Sequence, residues 1–213
     1  MSSKAQKIEK DACVIGAGWS GLYALKHLTQ EGVDCIAIES RNDIGGLWSI
    51  TEDTAYTSVA DCTYTTSPKA FTEATDFPWP EDVGIYPKYS DVYAWLCSYA
   101  KHFGIVDKIS LNSVVQCIEK VDGYWITKVL KKSSPESDAA EDLIIKSKYL
   151  IVCTGSNQIA NDSTHMKKFE GFTGNFIHSN DVRIISKFQD MVRDKKVVCM
   201  GGLYICYAYL CTE

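Results

Sequence analysis

Residues 13–40 read CVIGAGWSGLYALKHLTQEGVDCIAIES, and the reading of this stretch decides the fold. Residues 11–15 are apolar enough for a short buried strand, 20–30 have the spacing of a helix, and 34–38 make a second apolar run. Strand, helix and strand, with a turn at Gly32–Val33, form a βαβ unit and imply an α/β fold built on a parallel sheet. Gly16, Gly18 and Gly21 give a GxGxxG pattern directly after the first strand, and Glu39 closes the second. Three nearby glycines alone mean little, but between a strand and a helix each has a task. Gly16 makes the turn, Gly18 lets the backbone approach a pyrophosphate, and Gly21 lets helix and strand pack closely, with the phosphates at the helix N-terminus. The Glu39 carboxylate can accept from both ribose hydroxyls of an adenosine. It would repel a 2′-phosphate, so this site does not suit NADP.

Outward from this unit, residues 43–89 turn to Gly, Thr, Pro and aromatics with little periodicity, and so long an irregular stretch is usually functional. Its Gly45–Gly46 pair allows a second close backbone approach, as a longer dinucleotide needs. Residues 90–103 place Val92, Trp95, Leu96, Tyr99 and Phe103 at helical spacing, and Trp48, Trp79, Trp95 and Trp125 read as core aromatics. Strand-like runs follow at 113–118 and 123–130, then a polar loop over 131–142, then an apolar run at 149–155. A second glycine-rich start stands at 201.

Composition bounds the rest. The 213 residues suit one well-buried domain, or one domain and part of another. A formal charge of −5 with scattered lysines gives no footprint for nucleic acid. The polar start has no secretory h-region, and the longest apolar run, Val197–Cys211, is too short for a membrane span. Nine cysteines stand singly with no CxxC pair, which points to reduced thiols in a cytoplasmic setting and to no metal site.

The order GAGWSGL, ES-RNDIGGLW, TYTTSPKAFTEATDFPWP, YAKHFGI, VCTGSN and FEGFTGNFIHS resembles the flavin-containing monooxygenases, from about Ala12 to Gly202. The resemblance implies an enzyme of the N,N-dimethylaniline monooxygenase kind, with a Rossmann-type FAD-binding domain (first part, 1–155) and the beginning of an NADPH-binding Rossmann-type domain (156–213). It assigns the FAD phosphates to Gly16, Gly18, Ser20 and Gly21 and the ribose to Glu39. Gly46, Leu47 and Trp48 follow along the cofactor, the backbone of Val115 lies near the adenine, and Thr154–Gly155 marks the exit from the domain. The implied chemistry uses FAD, NADPH and O2 to oxygenate nucleophilic nitrogen or sulfur, in a small amine or thioether, through a C4a-hydroperoxyflavin. The cofactor carries the hard steps, so no acid–base pair is required.

Three departures accompany the resemblance. The signature FxGxxxHxxx(Y/F) reads Phe172, Gly174, His178 and then Val182, without its last aromatic. Thr66 stands where many members have a flavin-facing asparagine, and is the candidate catalytic residue. After Gly201, Leu203 and Cys206 replace the small residues of a second nucleotide loop. The alternative is therefore a truncated isoform or gene-model fragment, inactive, that at best binds FAD and tends to homo-oligomerise. The expected location is the cytoplasm, or the cytosolic face of the endoplasmic reticulum through a segment absent from this sequence.

Overall fold

The computed structural model describes residues 5–133, 140–156, 171, 173–175 and 177–199. The chain forms two compact units, Met1–Gly46 with Ala94–Ser156, and Leu47–Tyr93 with Asn157–Glu213.

The first unit carries the βαβ opening: strand β1 (Gln6–Ile15), helix α1 (Trp19–Gln30) and strand β2 (Cys35–Ile38). Helix α2 (Tyr89–His102) follows the irregular stretch, then β3 (Ile109–Ser110), β4 (Ser113–Val121), β5 (Tyr124–Lys132) and β6 (Ala140–Val152). The six strands form one sheet in the order β3-β2-β1-β6-β5-β4. The pairs β1–β2, β1–β6 and β2–β3 are parallel, as the opening motif requires, while β4–β5 and β5–β6 are antiparallel.

Alternation along β1 explains why the sheet is buried at its centre. Cys13 and Ile15 point into a cluster with Ile38, Val129, Leu143 and Ile145. Ala12 and Val14, fully buried, occupy the opposite face, and α1 packs on β1 and β2. Burial pushes the Cys13 thiol up to about 11, against a smaller lowering by a hydrogen bond with Thr127. Cys35 is the other buried thiol among the described cysteines, the remaining ones being half-buried or exposed.

Aromatics join the two helices of this unit. Trp19 and Trp95 have ring centroids 5.4 Å apart, Tyr23 stacks on Tyr99 at 5.0 Å, and Tyr99 meets Phe103 at 4.7 Å. Lys26, only 3% exposed, places its ammonium 4.9 Å from the Phe103 ring centroid. A cation over a ring face gains from the ring quadrupole, which offsets part of its desolvation.

The strand limits differ from the sequence expectation in one instructive region. β4 and β5 are a hairpin turned at Asp122–Gly123, with φ of 50° and 84°. Asp-Gly is a strong two-residue hairpin signal because both positions need positive φ. It was present in the sequence and passed over. β6 begins at Ala140, well before the apolar run at 149–155, and β5 continues to Lys132. The expected polar loop over 131–142 is thus too wide. Main-chain pairing from Trp125↔Ser147 to Lys132↔Ala140 satisfies the backbone whatever the side chains, so charged residues can extend both strands.

The described part of the second unit is mostly irregular. A small core of Ala60, Val182 and Ile185 is flanked by Cys62 and Phe188, the last on helix α3 (Ile185–Val192). Arg183, 3% exposed, donates from Nη2 to the Tyr56 carbonyl at 2.8 Å and from Nη1 to the carbonyl and hydroxyl of Ser58. Asp61 accepts from the Ile185 N–H at 3.0 Å. Lys69 serves as a further internal clamp, its ammonium donating to the Val83 carbonyl at 2.6 Å and to Pro80 at 3.3 Å. Side-chain donors thus do for this stretch what strand ladders do in the first unit.

Candidate functional site

The site forms where the C-terminal ends of β1 and β6 lie side by side. The Cys153 N–H donates to Ile15 O at 2.8 Å, which carries the register of the two strands past their ends. From β1 the chain turns to one side, into β2 and β3, while β6 lies on the other. Open α/β sheets bind ligands at such a switch point, because adjacent connections leave in opposite directions and open a crevice.

The three glycines of the motif now separate physically. Gly16 has a φ of 99°, and a Cβ there would collide with the carbonyl of Cys153. A Cβ on Gly21 would collide with the carbonyl of Gly16. These two glycines are demanded by the protein itself, for the turn and for helix–strand contact. Gly18 is different. A Cβ there would meet only the backbone of Gly46, Cα at 3.5 Å and N at 3.9 Å, which is ordinary contact, and φ is −74°. Among the described residues nothing crowds a Cβ at 18, so the space its missing side chain leaves forms an open cradle. Gly18 is also the N-cap of α1 and makes no side-chain cap hydrogen bond, and the first turn contains no acidic residue. That helix end therefore suits an anion.

Glu39 lies 6% exposed at the end of β2. Its Oε2 accepts from the Ala17 N–H at 2.7 Å, and its Oε1 accepts from the Arg41 N–H at 2.9 Å and the Ser40 hydroxyl at 3.2 Å. A carboxylate has about four acceptor positions, so these bonds leave capacity for about one more donor. Its backbone is tied on both sides, Glu39 N–H to Ser110 O and Ser113 N–H to Glu39 O, each at 2.9 Å. That second bond brings the start of β4 beside Glu39, with Val115 two residues further along. The Val115 pairing with Val129 is followed by a register shift before Cys117.

A second turn completes the cradle. Gly45 (φ 99°) donates its N–H to Ala17 O at 3.0 Å, and Gly46 (φ 54°) lies so near Gly18 that a Cβ on it would come within 2.9 Å of Gly18 Cα. Arg41 donates from Nη1 to Gly46 O at 2.7 Å. Sequence reading passed over Arg41 and Ala17; the signal for Arg41 was its place between Glu39 and the glycine pair, and for Ala17 there was none.

The first unit therefore brings together Gly16, Gly18, Gly21, Glu39 and Gly46, with Ser20 exposed on the first turn of α1. Thr154 follows Cys153 at the same strand end, its N 3.5 Å from where a Gly16 Cβ would stand, and Gly155 has a φ of 79°. Burial raises the Cys153 thiol above its ordinary value. Leu47, Trp48, Thr66, Gly174 and His178 belong to the second unit. Leu47 is 46% exposed and Thr66 is exposed. His178 caps a short 3₁₀ turn, Ser179–Asp181, its Nδ1 accepting from the Asn180 N–H at 3.0 Å. Phe172, Gly201 and the tail after Gly202 lie outside the described residues. Among the described residues no His/Cys/Asp/Glu cluster suits a metal, and no helix is long and apolar enough to cross a membrane.

Comparison with known proteins gives a consistent result. Residues 9–204 match the family described as flavin-binding monooxygenase-like. Flavin-containing monooxygenase 1 of Homo sapiens is 31% identical over 202 residues, covering 90% of this chain and 36% of its own length. The flavin-containing monooxygenase FMO GS-OX1 of Arabidopsis thaliana is 28% identical over 213 residues, covering 91% and 44%. This chain thus spans less than half the length of these relatives. Among solved structures, S-allyl-L-cysteine S-oxygenase from Allium sativum superposes with a TM-score of 0.67 at 21% identity, over 85% of this chain and 44% of that one. Cyclohexanone monooxygenase in its open form gives 0.55 at 19%, over 69% and 27%. These two likenesses are of fold.

Proposed function

The chain belongs to the flavin-binding monooxygenase-like family, and from that premise we propose that its first unit binds FAD and serves an NADPH-dependent monooxygenase acting on nucleophilic nitrogen or sulfur. The observation that carries the reading is the Gly18 cradle, a glycine where a Cβ would meet only ordinary contact, faced by a second glycine turn and by the N-terminus of α1. The pyrophosphate of FAD would lie over Gly18 and Gly46, its ribose would reach Glu39, and its adenine would run toward Val115. When bound, FAD supplies the electron transfer and O2 chemistry. The chain's own residues bind and orient it: backbone donors and helix dipole for the phosphates, a buried carboxylate for the ribose. The substrate class is a small amine or thioether, with NADPH as reductant, in a cytoplasmic setting. The NADPH domain begins at about 156, with Gly174, His178 and Gly201 among its motif positions and Thr66 a candidate beside the flavin.

The test is Gly18→Val. The side chain would fill the cradle with little disturbance of strand or helix, since its Cβ meets only ordinary contact. The variant is expected to purify without flavin while its circular dichroism matches the parent protein. A yellow variant with stoichiometric flavin would refute the cradle. Oxygenation is tested separately, by following NADPH consumption and oxide formation with an amine and a thioether.

A further inference from the structure

We infer that Arg41 is the positioning residue of the dinucleotide site: its guanidinium latches the Gly45–Gly46 turn against Gly18 and so sets the floor on which the pyrophosphate lies. The inference rests on the dinucleotide reading above and adds a residue that the glycine motif does not contain. Arg41 is 8% exposed, in a loop where an arginine would ordinarily extend into water. Its Nη1 instead donates to Gly46 O at 2.7 Å. The turn it holds has two consecutive residues at positive φ, 99° and 54°, a conformation glycine reaches but does not prefer over its other states. Two tethers from outside the turn keep it in one arrangement: the Gly45 N–H donates to Ala17 O at 3.0 Å, and Arg41 holds the carbonyl of Gly46. Arg41 is itself fixed at both main-chain ends, its N–H donating to Glu39 Oε1 at 2.9 Å and its carbonyl accepting from the Asn112 N–H at 2.9 Å. One residue thus links the ribose carboxylate, the approach to β4 and the glycine turn. Because Gly46 faces Gly18 so closely that a Cβ on it would come within 2.9 Å of Gly18 Cα, a small displacement of the turn changes the width of the cradle, and ordering it in advance lowers the cost of binding.

The test compares the protein with its Arg41→Met and Arg41→Lys variants, titrating FAD, ADP and adenosine by fluorescence and ligand-observed NMR. A latch under the pyrophosphate predicts that Arg41→Met weakens FAD and ADP by roughly ten- to a hundred-fold and leaves adenosine unchanged. Arg41→Lys, which keeps a donor and the charge but not the planar fork, should fall between. Equal weakening of all three ligands would mean general damage to the unit and would overturn the positioning role, as would undiminished FAD and ADP binding by Arg41→Met. If Arg41→Met does not fold, Arg41→Lys decides, since it must show the same split between ADP and adenosine. A parent protein that binds neither FAD nor ADP would remove the dinucleotide reading itself, a result distinct from a parent that binds and a variant that binds equally well.

Discussion

Glu39 has two tasks that a single mutation would confound. In the structure it already receives the Ala17 and Arg41 N–H groups, and Ala17 is fully buried. Glu39→Ala should therefore cost about 1–3 kcal/mol of stability without any ligand, through the orphaned donors. A charged hydrogen bond to ribose is worth about 1.5–3 kcal/mol, so FAD affinity should fall by roughly ten- to a hundred-fold as well. Urea unfolding without flavin measures the first effect and flavin titration the second. Lower stability with unchanged flavin affinity would leave Glu39 a loop brace and not a ribose ligand. The glycines divide in the same way: at 16 and 21 a Cβ would run into the chain's own carbonyls, while at 18 it would make only ordinary contact.

Among the elements, the junction of residues 56–61 with 183–185 is the one sequence reading could not anticipate. Arg183 is a basic residue in a stretch without marked periodicity, and its partners lie about 125 positions earlier as backbone carbonyls of Tyr56 and Ser58. Any residue offers a carbonyl, so no side-chain pattern announces the pair. Arg183→Met should leave those carbonyls without their donor, at about 1–3 kcal/mol for each buried acceptor left unpaired. Hydrogen exchange should then quicken at Asp61 and Ile185, the neighbouring backbone N–H donors, with the centre of β1 unaffected. Unchanged exchange at those two amides would show that the clamp is dispensable. The β4–β5 hairpin is the opposite case, since Asp122–Gly123 stated its turn locally.

At the scale of the whole molecule, FAD binding and stability are one measurement. A ligand that binds only the folded form stabilises it by about 2.7 kcal/mol at a hundred times Kd. Melting followed by fluorescence should therefore move upward with FAD concentration, and Gly18→Val should abolish the shift. A melting temperature indifferent to FAD in the parent protein would argue against the site. The sequence alone determined the βαβ opening, the parallel sheet it implies, the GxGxxG pattern and the carboxylate at the end of β2, because these depend on short-range periodicity and on a motif whose members, Gly16 to Glu39, lie within 24 residues. It also carried the family resemblance over nearly the whole chain. Only the tertiary structure decided which glycines the fold itself requires, since at Gly16 that depends on the carbonyl of Cys153, more than a hundred residues away. The same holds for the engagement of Glu39 by the chain's own N–H groups, for the latch at Arg41 and for the length of β6. Each rests on backbone groups, set by strand pairing for β6 and by the loop after β2 for the latch, and the backbone is the part of the chain that its sequence does not distinguish.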